Sequence, residues 1–143
     1  MTYLLDTSTV SLLLRGERNP EVIERHAEAE AAGAEFVLCP VVAYEVRRGL
    51  AHREAHRQRA DFGAIEQAWA WDDLQWEDWH KAAELWARQA AVDAPRADAD
   101  LLIAAHALRL GAVVVTDNVR HFEGLGVQVE SWRGAGRPYP VRH

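Results

Sequence analysis

The chain predicts an α/β fold, a single domain on a central, mostly parallel sheet of four to five strands flanked by helices. Three observations carry that prediction. Short apolar runs alternate with longer stretches of helical spacing. The run 112–115, Ala-Val-Val-Val, is apolar at every position, as in a strand covered on both faces of a parallel sheet. The run 3–5 ends on Asp6 and is followed by Thr7 and Ser8, the order strand, acid, helix start. With 143 residues, 49% of them hydrophobic and 27% charged, the chain can bury a real core.

The elements follow in order. Residues 3–6 read as a strand, and Thr7 or Ser8 can cap the helix that follows, which Gly16 ends. Asn19-Pro20 starts a second helix, with Glu21 and Glu24 near its positive end, and Gly33 stops it. Residues 36–38 form a second strand, and Val42, Val46 and Leu50 mark the buried stripe of a helix over 41–50. A polar helix is expected over 53–71, a short extended piece over 74–76, and a helix over 77–92 with Trp79, Ala83 and Trp86 on one side. Asp98 can cap a helix over 99–110 that is apolar nearly all round and therefore buried. A last strand at 127–129 lies at an edge. The domain is expected to span 1–132, with a loose tail over 133–143, rich in Gly and Pro.

Composition excludes several functions. No segment approaches the roughly 20 apolar residues of a membrane span, and no basic stretch followed by a long apolar one reads as a secretory signal. The single cysteine, Cys39, rules out an internal disulfide and a cysteine-rich metal site, and fits a cytoplasmic protein. A net charge of −6 argues against a protein that coats nucleic acid non-specifically, yet not against a nuclease, because carboxylates that hold a metal themselves lower the charge.

Four acids stand out. Asp6 and Asp117 each follow an apolar strand, Asp100 lies in the first turn of a buried helix, and Glu45 is on the helix leaving the second strand. Each is placed at the carboxyl end of the sheet, where open α/β sheets bind ligands. Carboxylates gathered there repel by a few kcal/mol at an effective dielectric of ~20 unless a cation compensates. An all-oxygen donor set suits Mg²⁺, or Mn²⁺, and phosphate-ester chemistry. Singly, each acid has a plainer reading. Asp6 can be a helix cap, Glu45 a solvated face residue, Asp100 a first-turn acid favoured by the dipole, and Asp117-Asn118 turn chemistry.

Four blocks, Leu4-Leu5-Asp6-Thr7-Ser8, Tyr44-Glu45-Val46-Arg47-Arg48-Gly49, Asp100-Leu101-Leu102-Ile103-Ala104-Ala105-His106-Ala107 and Val115-Thr116-Asp117-Asn118-Val119-Arg120-His121-Phe122, resemble in sequence and order the signature blocks of PIN-domain ribonucleases, most closely VapC toxins of bacterial toxin–antitoxin pairs. The resemblance implies a Mg²⁺-dependent endoribonuclease, commonly a homodimer, neutralised by a cognate antitoxin. It places metal binding on Asp6, Glu45 and Asp100. At the fourth position the family often has Thr, any residue, then Asp. Here Asn118 takes the third place and Asp117 precedes it, with Thr116 in support.

Other residues were weighed against this site. Arg47 and Arg48 are candidate RNA contacts within a basic stretch that continues to Arg53, Arg57 and Arg59, the plainer reading being a solvated face paired with acids. Trp69, Trp71, Trp76, Trp79 and Trp86 suggest core packing and a groove for a partner helix. His52-Arg53-Glu54-Ala55-His56 lacks the Glu that a zinc-protease motif needs directly after its first His, and reads as surface. His106 reads as a core histidine. Two alternatives remain. One is a phosphatase of the haloacid dehalogenase type, against which Ser8 stands where the second Asp belongs and Lys81 is the only lysine. The other is a PIN fold kept as a binding module, its site decayed at Asn118.

Overall fold

A computed structural model of the chain describes residues 1–133. Five strands, all parallel, lie in the order β3-β2-β1-β4-β5: β1 (Thr2–Leu5), β2 (Glu35–Leu38), β3 (Ala70–Trp71), β4 (Val113–Val115) and β5 (Val129–Glu130). β1 and β4 are fully covered except at Thr2, which explains their unbroken apolar sequence. The chain leaves β1 toward β2 and returns later to the other side of β1 as β4. The carboxyl ends of β1 and β4 therefore flank the point where strand order reverses.

Six helices cover the sheet: α1 (Thr7–Leu14), α2 (Pro20–Ala31), α3 (Pro40–His52), α4 (His56–Ala68), α5 (Trp76–Ala91) and α6 (Asp98–Leu110). Pro occupies the first turn of both α2 and α3, where its missing N–H costs nothing. Gly111 ends α6 in the left-handed conformation, with φ 64°. No helix among the described residues is long and apolar enough to cross a membrane.

Several expectations need correction. The polar helix is shorter than 53–71, because Glu54 takes a positive φ of 53° before it and the chain turns extended at Trp69 after it. The extended piece is Ala70–Trp71 and not 74–76, and Trp76 opens α5. The cap of α1 is Asp6 itself, and that of α6 is Ala97, with Asp98 already helical. The core face of α5 is Asp78, Ala82, Leu85 and Gln89, one step round from the tryptophan side. Of the five tryptophans weighed as core, only Trp69 is buried; Trp71, Trp76, Trp79 and Trp86 are exposed. Trp132 is buried instead, edge-on to Tyr3. The expected tail lies outside the described residues from 134 onward, while Arg133 is placed against Asp117.

Candidate metal centre

Strand register builds the site. Leu5 pairs with Val115, so the residues that follow, Asp6 and Thr116, emerge side by side at the carboxyl edge of the two central strands. The Asp6 N–H still donates to Val115 O at 2.9 Å. The Asp6 side chain is 6% exposed and is held from three directions. Its Oδ1 accepts from Ser8 Oγ at 2.6 Å and from the Thr9 N–H at 3.1 Å, and its Oδ2 accepts from Thr116 Oγ1 at 2.6 Å. Asp6 is therefore the helix cap that its position allows, and it is also tied to the next strand. Burial pushes its carboxyl above the ordinary range against the pull of those hydrogen bonds. A carboxylate oxygen has two lone-pair positions, so Oδ2 keeps one open.

Glu45 and Asp100 reach the same end from two other helices. Thr7, next to Asp6, donates through Oγ1 to Glu45 Oε1 at 2.6 Å, which ties the second turn of α3 to the start of α1. Asp100, in the first turn of α6, is half-buried, and its Oδ2 lies 3.3 Å from His121 Nδ1. Its carboxyl is raised first by burial and further by the charges of Asp6 and Glu45, with His121 and Arg96 pulling it down. Asp100 thus feels both other acids, although the three come from segments far apart in sequence.

The fourth block is arranged differently. Asp117 gives its carboxylate to Arg133, at 2.8 Å, and donates its N–H to Ser8 Oγ at 3.0 Å. Asn118 is exposed, and its N–H donates to Thr116 Oγ1 at 2.9 Å. The Asp117-Asn118 backbone thus braces the two hydroxyls that brace Asp6. Thr116 is bonded to Asp6, Glu45 is tied to the neighbouring Thr7, and Asp100 lies in the field of Asp6 and Glu45, whereas the Asp117 carboxylate is turned to Arg133.

The donors fit a hard divalent cation. They are all oxygen, and the one thiol, Cys39, is buried and pushed up to about 11 by that burial, out of the range of a ready ligand. Among the described residues, no three His, Cys, Asp or Glu side chains stand close enough to enclose one ion. Mg²⁺ does not require it, since it keeps several waters and takes one or two carboxylates.

The arginines are committed differently from their sequence neighbourhood. Arg47 pairs with Glu66 and covers the Phe62 ring, while Arg48 lies 3.6 Å from Glu45 and over Tyr44. Sequence reasoning missed Ser8 and Thr9 as partners of Asp6, and His121 and Arg96 beside Asp100. The Thr7-Ser8-Thr9 run was the available signal for the first two; the last two depend on contacts across the fold. His106 is a buried core histidine as read, with Nε2 2.9 Å from Asp72 Oδ1.

Comparison with known proteins agrees with this architecture. A model of the PIN domain matches residues 3–126. A search of curated proteins by sequence gave no match. Among solved structures, VapBC2 of Rickettsia felis bound to a DNA fragment from its promoter superposes with a TM-score of 0.81 at 19% identity, covering 92% of this chain and 99% of the other. DNA-bound VapBC of Salmonella typhimurium gives 0.80 at 24%, covering 92% and 98%. VapBC-1 of nontypeable Haemophilus influenzae gives 0.77 at 21%, also covering 92% and 98%. With the family model covering most of its length and its acids at the sheet's switch point, the chain belongs to the PIN-domain family.

Proposed function

We propose that the chain is a Mg²⁺-dependent endoribonuclease (Mn²⁺ serving in its place) that acts as a VapC-type toxin and is neutralised by a cognate antitoxin. The observation that carries the reading is the meeting of three acids at the switch point: Thr7, next to Asp6, donates to Glu45, Asp100 lies in the field of Asp6 and Glu45, and the Asp6 and Asp100 carboxyls are raised. Asp6 and Asp100, with Glu45 from α3, are the residues that would hold the cation, directly or through water. The chemistry such a cation would supply is polarisation of a phosphoryl oxygen and acidification of a water, as hydrolysis of a phosphodiester requires.

The chain's own residues do the rest. Ser8, Thr9 and Thr116 fix Asp6 in one orientation and favour its charged form against its burial. Thr7 fixes Glu45, and His121 fixes Asp100. Asp117 and Asn118 act through their backbone N–H groups, as positioning residues. Arg48, on the rim beside Glu45, is better placed than Arg47 to meet a phosphate, because Arg47 is held by Glu66.

Toxin–antitoxin complexes among the fold neighbours support a protein partner, and the exposed tryptophans offer an apolar surface for one or for a second copy of the chain. Membership of the PIN family, and Ser8 being hydrogen-bonded to Asp6 and Asp117, count against the dehalogenase-type phosphatase. Antitoxin-free protein should cleave members of an RNA panel with Mg²⁺ and stop when EDTA is added. Cleavage undiminished by EDTA would overturn the metal assignment. No cleavage of any RNA would favour the binding-module alternative.

A further inference from the structure

The α1–α2 turn and the start of α4 enclose a cavity of about 450 Å³. Leu13 and Leu14 line one side, and the guanidinium-bearing Arg15, Arg18 and Arg57 surround it with Asp61. Among the described residues, none of these three arginines has an ion-pair partner. Asp61 alone is acidic among the described lining residues, so three positive charges face one negative. In a protein of net charge −6, such a local excess of arginines without an ion pair among the described residues is where a polyanion would settle.

Topology places this cavity on the same side of the sheet as the acids. α1 leaves the carboxyl end of β1, and α2 must bring the chain back to the amino end of β2. The 12 residues of α2 span about 18 Å, more than the roughly 13 Å of the 4-residue strands. α2 therefore makes the descent alone, and the turn bearing Arg15 and Arg18 stays at the carboxyl side. The 13 residues of α4 return in the same way to the start of β3, which puts Arg57, in its first turn, on that side as well. Arg15 lies nine residues beyond Asp6, about 13 Å of α1 and the length of roughly four stacked nucleotides.

We propose that Arg15, Arg18 and Arg57 form a phosphate-binding subsite for the RNA strand that runs out of the acid site. The inference rests on the nuclease reading and adds to it where the strand is gripped. Guanidinium forks match phosphate oxygens in pairs, and Leu13 and Leu14 give the sugar an apolar wall. Placement beside the acids favours a phosphodiester strand over the acidic segment of a protein partner.

The test measures polarisation of a labelled 12-nucleotide single-stranded RNA with full-length protein in EDTA, so that binding is read without cleavage. For the triple variant Arg15→Gln, Arg18→Gln, Arg57→Gln, affinity should fall at least about tenfold at low salt, and the log–log salt slope should drop by about 2, from three lost phosphate contacts at ~0.7 each. Asp61→Asn should shift affinity the opposite way, an outcome that misfolding cannot mimic. Lys81→Gln with Arg88→Gln, remote from this cavity, should leave slope and affinity unchanged. A triple variant with wild-type affinity and slope would overturn the subsite. So would undetectable RNA binding by the wild type, or loss of binding to polyglutamate with RNA binding intact, which would mark a site for an acidic protein segment. Binding changes as stated, with no Mg²⁺-dependent cleavage by the wild type, would retain the subsite and reject the nuclease reading.

Discussion

Two carboxylate clusters in this fold have opposite electrostatics. Between α5 and α6, Asp78 is 1% exposed and accepts from Arg109 Nε at 2.9 Å, and Arg109 Nη2 also donates to Asp72 at 2.7 Å. There the cation is built in. Hydrogen bonds from Arg109, then His106, hold the Asp72 carboxyl below its ordinary value, and the Arg109 guanidinium is raised in turn. At the carboxyl end of β1 and β4, Asp6 and Asp100 are held by hydroxyls, N–H groups and one histidine, and both carboxyls are raised. The first cluster is complete in the folded chain and serves stability. The second lacks a built-in arginine of that kind, and on the proposed reading it serves a ligand that brings the charge.

The largest effect that separates the two should be on activity. Asp6→Asn or Asp100→Asn should cut RNA cleavage by about 10²–10³-fold, since several kcal/mol of charge stabilisation is lost at 1.36 kcal/mol per decade. Circular dichroism should show the fold retained. Full activity in either variant would place the chemistry elsewhere. Arg109→Met should leave Asp78 buried without a partner and cost about 2–4 kcal/mol, somewhat less than a fully buried pair because Arg109 is partly exposed. Thermal unfolding should show a Tm roughly 5–15 °C lower. An unchanged Tm would mean that Asp78 is solvated in solution.

A smaller effect carries the more informative sign. The ionised Asp6 is disfavoured by burial, so at neutral pH without metal it costs stability. Asp6→Asn keeps a residue able to cap α1 and should raise the metal-free Tm by a few degrees. Added Mg²⁺ should stabilise the wild type and not the variant. A variant less stable than the metal-free wild type would mean that Asp6 is a structural cap above all. The smallest effect concerns Asp72. Its folded value lies below the unfolded one, so its contribution is complete above about pH 4 and is lost as pH falls through that lowered value. Asp72→Asn should flatten acid denaturation over that window; an identical acid limb would remove Asp72 from the account.

Much of the second cluster was legible because its residues sit at element ends. Asp6 follows an apolar strand, Asp100 opens a buried helix, and Thr116 ends the next strand, so one-dimensional pattern gave their level in the sheet. The same pattern could not show that Asp117 would turn to Arg133, since that depends on the chain beyond β5 folding back. Nor could it separate the two faces of α5, where the Trp79-Ala83-Trp86 stripe and the Asp78-Ala82-Leu85-Gln89 stripe lie one residue apart and the tryptophan-bearing one is exposed. Arg47 and Arg48 are adjacent in sequence, yet one is captured by Glu66 from α4 and the other stays by Glu45. Partners that come from other elements decide such cases, and they have no local signature.

The most direct test of the difference between the clusters is a crystal structure grown with Mn²⁺, read by its anomalous scattering. A peak beside Asp6 and Asp100, absent in Asp6→Asn crystals, is the predicted result. Mn²⁺ bound at Asp72 and Asp78 with none at Asp6 would contradict the assignment of which acids await a cation.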